Sequence, residues 1–409
     1  MSNREKARLV PKLRFPEFRG VEGWSRKRLK DACEVNPSSS TLPEMFVYID
    51  LESVEAGKLT ARKVIARDDA PSRAQRLLHP DDVIFQIVRP YQRNNFHFKA
   101  SDSLEYVAST GYAQLRAKDS ADFLYQAVHV DGFVDRVIAK CTGSSYPAIN
   151  SSDLAEVPLV LPKPDEQQKI ADCLSSLGEL IAAQARKVDT LKTHKKGLMQ
   201  QLFPREAKNQ PRLRFPEFRD AAIWNEVAAG QLFSNRVERG NSRLPIYSVT
   251  INDGMVPRSS LDRRIDDIAE CGANKTVSKG DIAYNMMRMW QGALGVAPVD
   301  CMVSPAYIVL KPKAANTVFF SYVLKQPQML RVLTAYSRGL TEDRLRLYYD
   351  DFAKVPLLCP SVVEQNRIAD FLSSLDSLIT VQTQALETLK THKKGLMQQL
   401  FPLAEAVEG

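Results

Sequence analysis

Between residues 170 and 202, apolar side chains recur at alternating steps of four and three. Ile170, Leu174, Leu177, Ile181, Val188, Leu191, Leu198 and Leu202 occupy eight of the ten steps, and Gln184 and Lys195 the other two. The same steps from Ile368 meet Leu372, Leu375, Ile379, Leu386, Leu389, Leu396 and Leu400, with Gln382 and Lys393 at the same two polar places. A repeat of about 3.5 residues sustained this long predicts the seam of a coiled coil. Buried Gln and Lys cost stability but fix register, so the pattern predicts two helices shaped to pair with each other. The competing arrangement packs each helix only on its own domain.

The two helices are copies. TLKTHKKGLMQQLFP stands at 190–204 and again at 388–402, and EQQKIADCLSSLGELI (166–181) parallels EQNRIADFLSSLDSLI (364–379). LRFPEFR at 13–19 returns at 213–219, with Trp24 and Trp224 following at the same offset. Ile170 to Leu202 spans roughly 50 Å of helix. The link from Leu202 to Leu213 reaches roughly 35–40 Å when fully extended. A parallel pair needs that link to retrace the helix, so the expectation is antiparallel. Pro162, Pro164 and Pro360 precede the helices, with Asp165 and Ser361 as expected caps, and Pro204 and Pro402 stop them. The expected segments are 1–164 and 205–361 as globular domains, 165–204 as the first repeated helix, and 362–409 as the second with a C-terminal tail.

The globular segments mix short β-rich runs with helical stretches, an α+β pattern. Strands are expected at 82–88, 112–115 and 157–161, and at 282–286 and 306–310; 319–333 reads as helical. Weak echoes align the two domains: Asp82 and Asp281 before a strand, Arg89 and Arg288 after it, and SDLAEVPLVLP beside YDDFAKVPLLCP. One fold with two diverged surfaces is therefore expected. In the first domain, RPYQRNNFHFK supplies Arg89, Tyr91, Gln92, Arg93, Asn94 and Asn95, and TGSSYPAIN supplies Ser144, Ser145 and Tyr146. Arg suits guanine edges and phosphate, Asn and Gln suit adenine, and hydroxyls or backbone amides suit phosphate. In the second domain, Arg288, Trp290 and Gln291 follow the matching strand, while Arg338, Arg344 and Arg346 stand where TGSSYPAIN stands in the first. A solvated loop, and an Arg344/Arg346 helix surface paired with Glu342 or Asp343, are the bland alternatives.

Composition changes this picture little. Hydrophobic residues make up 44% and charged residues 25%, enough for real cores. The net charge of +8 is compatible with a polyanionic partner without requiring one. Cys33, Cys141, Cys173, Cys271, Cys301 and Cys359 form no CxxC pair and do not cluster with histidines, so neither zinc nor a disulfide framework is expected. No signal peptide or membrane span is read, which makes the cytoplasm the expected location. There is no Walker loop, no dinucleotide fingerprint and no Asn-Pro-Pro-aromatic motif, and no catalytic or metal-binding residue is expected.

Two unlike domains, each followed by a repeated helix ending GLMQQLF, resemble the specificity subunit of type I restriction–modification enzymes. The resemblance rests on PLVLPKPDEQQKIADCLSSL (158–177) and PLLCPSVVEQNRIADFLSSL (356–375), on LRFPEFR before a Trp, on KKGLMQQLF, and on the GDI and GSSYPAI segments. The second domain departs from it, having Ser337-Arg338-Gly339-Leu340 in place of the Gly-Ser turn. The resemblance implies two similar target-recognition domains, separated and joined by an antiparallel coiled coil with pseudo-two-fold symmetry. It implies that each domain reads one half of a bipartite, asymmetric double-stranded DNA site, with half-site centres on the order of 34 Å apart. It further implies two docked methyltransferase subunits and associated restriction–translocation subunits. S-adenosylmethionine, ATP and Mg2+ would be used by those partners, and this chain would hold no cofactor. The contrasting classes are a stand-alone methyltransferase or nuclease and a coiled-coil adaptor that binds only proteins.

Overall fold

The computed structural model describes residues 9–38, 41–99, 102–206, 208–261, 273–341 and 344–402. It divides into two compact units, residues 1–186 with 383–409, and residues 187–382. Each unit holds one globular domain, the start of one long helix and the end of the other, the division falling within the two helices.

The long helices run Pro164–Leu202 and Val362–Leu400. Ser361 caps the second, its Oγ accepting the Glu364 N–H at 3.3 Å. The first starts one residue earlier than expected. Asp165 therefore lies inside the first turn, and the Lys163 carbonyl receives the Glu166 and Gln167 N–H groups. Each repeated Glu-Gln pair anchors its helix in the same way. Glu166 and Glu364 are buried and accept bidentate contacts from Arg14 and Arg214 of the LRFPEFR motif, at 2.7 Å for each of the four bonds. Gln167 and Gln365 donate to the carbonyls of Pro162 and Pro360.

All the apolar seam residues, and Gln184, Lys195, Gln382 and Lys393 with them, are buried or half-buried. In the first unit, Ile170 and Leu174 share one core with Leu396, Met397 and Leu400. In the second, Leu198, Met199 and Leu202 share one with Ile368, Leu372 and Leu375. The start of one helix thus packs on the end of the other in each unit. The polar seam positions are handled differently. Lys195 pairs with Asp376 at 2.5 Å beneath the Tyr322 ring, and the Tyr322 hydroxyl donates to the same carboxylate at 2.6 Å. Lys393 instead faces Gly178, the counterpart of Asp376, and burial lowers its pKa.

Both globular domains are built on one four-stranded antiparallel sheet. Its strand order is Cys33–Val35, Tyr112–Ala117, Val83–Gln86, Phe96–His97 in the first unit. In the second it is Phe233–Asn235, Tyr307–Pro312, Ile282–Asn285, Leu294–Val296. Inward aromatic side chains (Phe85, Tyr112, Tyr284, Phe233) and the helices Ala121–Ala127 and Thr317–Leu324 close the cores. Trp24 and Trp224 meet Phe401 and Phe203, the residues that directly follow the long helices. An antiparallel strand pair, Ser25–Arg28 with Pro158–Leu161, leads into the first long helix; Asn225–Ala228 with Pro356–Cys359 does so for the second.

The stretch 319–333 forms two helices, Thr317–Leu324 and Pro327–Ala335. Pro327 drives Gln326 into extended backbone and opens the new helix at its first turn. The units diverge beyond the shared sheet. The first adds a mixed sheet in the order Lys63–Ala66, Met45–Ile49, Tyr106–Ser109, Ala74–Leu77. The second has two separate antiparallel strand pairs, the hairpin Tyr247–Thr250 with Gly254–Pro257, and Lys275–Val277 with Cys301–Val303.

Candidate nucleic-acid interface

In both units the third strand of the shared sheet ends in a tight 3-10 turn. In the first, Arg89 (φ 54°) and Arg93 (φ 56°) bracket Pro90–Gln92 in left-handed conformations. In the second, Met289–Gln291 is closed by Gly292 at φ 82°. Arg93 thus takes, at some conformational cost, a backbone shape that glycine supplies in the other unit. Two bonds hold it there: its guanidinium donates to the His129 carbonyl at 3.1 Å and pairs with Asp131 at 2.7 Å.

A hairpin lies beside each turn. In the first unit Thr142 and Ala148 exchange both backbone bonds, and Ala148 bridges to Val88. The Arg89 N–H donates to the Pro147 carbonyl at 2.7 Å, and its guanidinium lies 4.2 Å from the centre of the Tyr146 ring. Tyr91, Gln92, Ser144, Ser145 and Tyr146 are exposed around this stack. The first unit therefore gathers Arg89, Tyr91, Gln92, Ser144, Ser145 and Tyr146 on one edge.

Three expected base readers are occupied instead in holding that edge. Asn95 is 1% exposed and has no route to a base. Its Oδ1 accepts the Gln86 N–H at 2.8 Å, and its Nδ2 faces His129 Nε2 at 3.3 Å. Asn94 Oδ1 accepts the Ala56 N–H, and Arg93 is tied down as described. A buried amide must satisfy its polar atoms internally, and strand-end loops offer many backbone partners.

His129 is the hub that sequence reasoning missed. Its Nδ1 lies 2.6 Å from the Tyr125 carbonyl, so that nitrogen carries the proton and Nε2 accepts from Asn95. Burial pushes its pKa from 6.5 down to about 4, and Lys393 and Arg93 push the same way. A folded-state value below the unfolded one means that the neutral form stabilises the fold. That stability is complete above pH 6.5 and is lost as pH falls towards 4. Thermal melts should show the first unit losing about 2 kcal/mol between pH 6.5 and 5. His129→Gln should flatten this profile; an equally steep one would mean that another group is responsible.

In the second unit the hairpin is built on Arg338 and Arg346, which exchange backbone bonds at 2.9 and 2.8 Å, while the Leu347 N–H donates to the Met286 carbonyl. Arg288, Gln291, Arg338 and Arg344 are exposed; Trp290 and Arg346 are half-buried. Both Arg344 and Arg346 lie on the returning arm of the hairpin, where Arg344 ends a 3-10 turn with its N–H donating to the Thr341 carbonyl at 2.9 Å; Glu342 and Asp343 lie outside the described residues. The Arg338 guanidinium is held by both oxygens of Asp351, at 2.6 and 3.0 Å, with the Tyr348 ring 5.6 Å away. Its charge is thereby partly committed to shaping the hairpin base. The Gly-Ser turn of the first unit has a structural counterpart here, a longer hairpin on the same ladder.

Among the described residues, no group of three or more His, Cys, Asp or Glu is placed to hold a metal ion, and no helix is long and apolar enough to cross a membrane. Cys33, Cys141, Cys173, Cys301 and Cys359 are free thiols, and Cys271 lies outside the described residues.

Comparison with known proteins agrees with this two-fold repetition. The profile of the type I restriction modification DNA specificity domain matches residues 22–193 and again 225–391. The chain is similar to the type I restriction enzyme MjaVIII specificity subunit of Methanocaldococcus jannaschii, at 23% identity over 63% of this chain and 64% of that one. It spans 60–64% of the length of the first two curated relatives it matches. Its fold is similar to the crystal structure of a type I restriction–modification S subunit from M. genitalium (TM-score 0.61, 16% identity, 97% of this chain and 100% of that chain). It is also similar to a chain from a structural study of type I R-M complex assembly and conformational transition (TM-score 0.56, 22% identity, 93% and 98% covered). With both globular domains matched by one profile, the chain belongs to the type I restriction modification DNA specificity family and carries its domain twice.

Proposed function

We propose that this chain is the DNA-reading, non-catalytic subunit of a type I restriction–modification assembly. Each unit reads one half of a bipartite, asymmetric site. The two long helices, paired antiparallel as a coiled coil with pseudo-two-fold symmetry, set the unread gap. The observation that carries this reading is the same edge occurring twice with different side chains. A 3-10 turn and an adjoining hairpin project from the shared sheet, with Arg89, Tyr91, Gln92 and Tyr146 in one unit and Arg288, Gln291 and Arg344 in the other. Side chains of this kind suit base edges and phosphates in a groove.

The helices would dock two copies of one methyltransferase subunit. Leu180 and Leu378 occupy matching repeat positions outside the seam, and both are exposed, as is Val381. Equivalent exposed apolar positions offer equivalent surfaces to identical partners. S-adenosylmethionine, ATP and Mg2+ would belong to the methyltransferase and restriction subunits.

Exchange of residues 213–361 for the matching region of a relative tests the modular reading. In the reconstituted complex, sequencing of methylated sites should show one half of the motif changed and the other kept. A change in both halves would overturn the assignment of one unit to each half.

A further inference from the structure

In both units the equivalent hairpin carries a largely exposed side chain with an apolar body. Tyr146 is 66% exposed in the first unit, and Leu340 is fully exposed in the second. The two tips share only a positive-φ glycine after the first ladder residue, Gly143 and Gly339, and each sits above a closed backbone ladder, Thr142 with Ala148 and Arg338 with Arg346. The approach to Leu340 is tightly fixed. Gly339 has φ 142°, and a Cβ there would fall 2.5 Å from the Arg344 carbonyl oxygen, so only glycine allows the chain to close before Leu340. Arg338, locked on Asp351, fixes the base of the hairpin, while Arg344 stands exposed on its return arm. An apolar side chain fully in water contributes nothing to the fold. Flanked by guanidiniums, it is placed to be buried by a polyanion whose interior is apolar.

We propose that Leu340 is a specificity residue of the second unit, contacting bases directly while the neighbouring arginines contact phosphate. The proposal rests on the DNA-reading function above. Apolar side chains discriminate bases through the thymine methyl group or by packing against a base step, and either needs the side chain to reach past the backbone. Tyr146, stacked by Arg89, gives the first hairpin an exposed side chain of different chemistry, as two readers of different half-sites require.

The test is selection of binding sites from a randomised duplex pool by the complex reconstituted with its methyltransferase subunits, as wild type, Leu340→Ala, Leu340→Met and Arg344→Ala. Leu340→Ala should flatten the preference at one or two adjacent base pairs of one half-site, from about tenfold or more to near none. The other half-site and the salt dependence of binding should stay unchanged, and Leu340→Met should restore most of the preference. Arg344→Ala should instead weaken binding to all sequences alike and lower the salt slope. An unaltered motif with Leu340→Ala, or a uniform loss resembling that of Arg344→Ala, would overturn the proposal. A wild-type complex that selects no motif would overturn the DNA-reading function itself. Because Leu340 touches nothing that folds the hairpin, unchanged melting of the variant separates these outcomes from misfolding.

Discussion

Glu166→Gln is expected to destabilise the first unit by about 3–5 kcal/mol, because it leaves a buried guanidinium without its counter-charge. Arg14 and Glu166 have side chains only 7% and 2% exposed. Glu166 takes two hydrogen bonds from Arg14, and the Trp24 indole N–H reaches it at 3.3 Å. Arg14 also donates to the carbonyls of Val21 and Glu22, so this one side chain ties the N-terminal segment to the first turn of the long helix. The hydrogen bonds to Glu166 raise the Arg14 pKa, so the arginine does not escape by losing its proton. A unit of this size loses roughly 2–4 °C per kcal/mol, so a drop of about 10 °C in its melting transition is expected in calorimetry of the intact chain. The double variant Arg14→Met with Glu166→Leu should recover much of this, since an apolar pair of similar volume needs no counter-charge. A single-variant shift below about 2 °C would show the pair to be dispensable. Glu364→Gln is the matching substitution in the second unit, where Arg214 makes the same contacts to Glu364 and to the carbonyls of Ala221 and Ala222.

Insertion of one heptad between residues 170 and 202 alone is expected to abolish recognition of the native site, or to move the complex to a site with a longer gap. Ile170 and Leu174 at one end of the helix belong to the first unit's core, while Leu202 and Phe203 at the other belong to the second's. Seven added residues lengthen the helix by about 10 Å while keeping the seam on one face. The other long helix is unchanged, and it too contributes Leu400 to one core and Ile368 to the other. Both cores cannot then keep both contributions in place. Lys195 must also leave Asp376 or carry the strain elsewhere. Gel-shift titration over duplexes with graded gaps reads the outcome. Unchanged affinity for the native gap would show that the helices do not set the spacing.

The repeated parts of the fold were legible in the sequence because they answer to periodicity. A seam of Ile, Leu and Val at coiled-coil spacing specifies a buried face wherever the helix lies, and every seam position is buried or half-buried. Pro204 and Pro402 end the helices by chemistry that needs no tertiary partner. The strands around Val83–Gln86 and Ile282–Asn285 were legible for a similarly local reason, short apolar runs with β-branched or aromatic content. The break at Pro327 also lies in the sequence, though the apolar run across it reads as continuous helix.

The candidate interface was legible only as a neighbourhood. Sequence spacing singled out 89–95 and 142–150, but it could not separate the exposed Tyr91 and Gln92 from the buried Asn95 three or four residues on. An asparagine suited to adenine is equally suited to a backbone amide, and burial alone decides between them. His129 carried no motif, and its role exists only because a left-handed turn brings Asn95 and Arg93 against it. Leu340 drew no attention because an apolar residue beside glycine looks like any loop residue until a closed ladder holds it out in water.

By itself the sequence determined the duplication, the helix faces and their ends, since these follow from side-chain order along one local axis. Only the tertiary structure decided that Lys195 has a carboxylate where Lys393 faces a glycine. It also decided which polar residues at the strand ends face solvent. Those outcomes depend on which distant groups meet, and a polar side chain turns inward or outward according to the partners the fold brings to it.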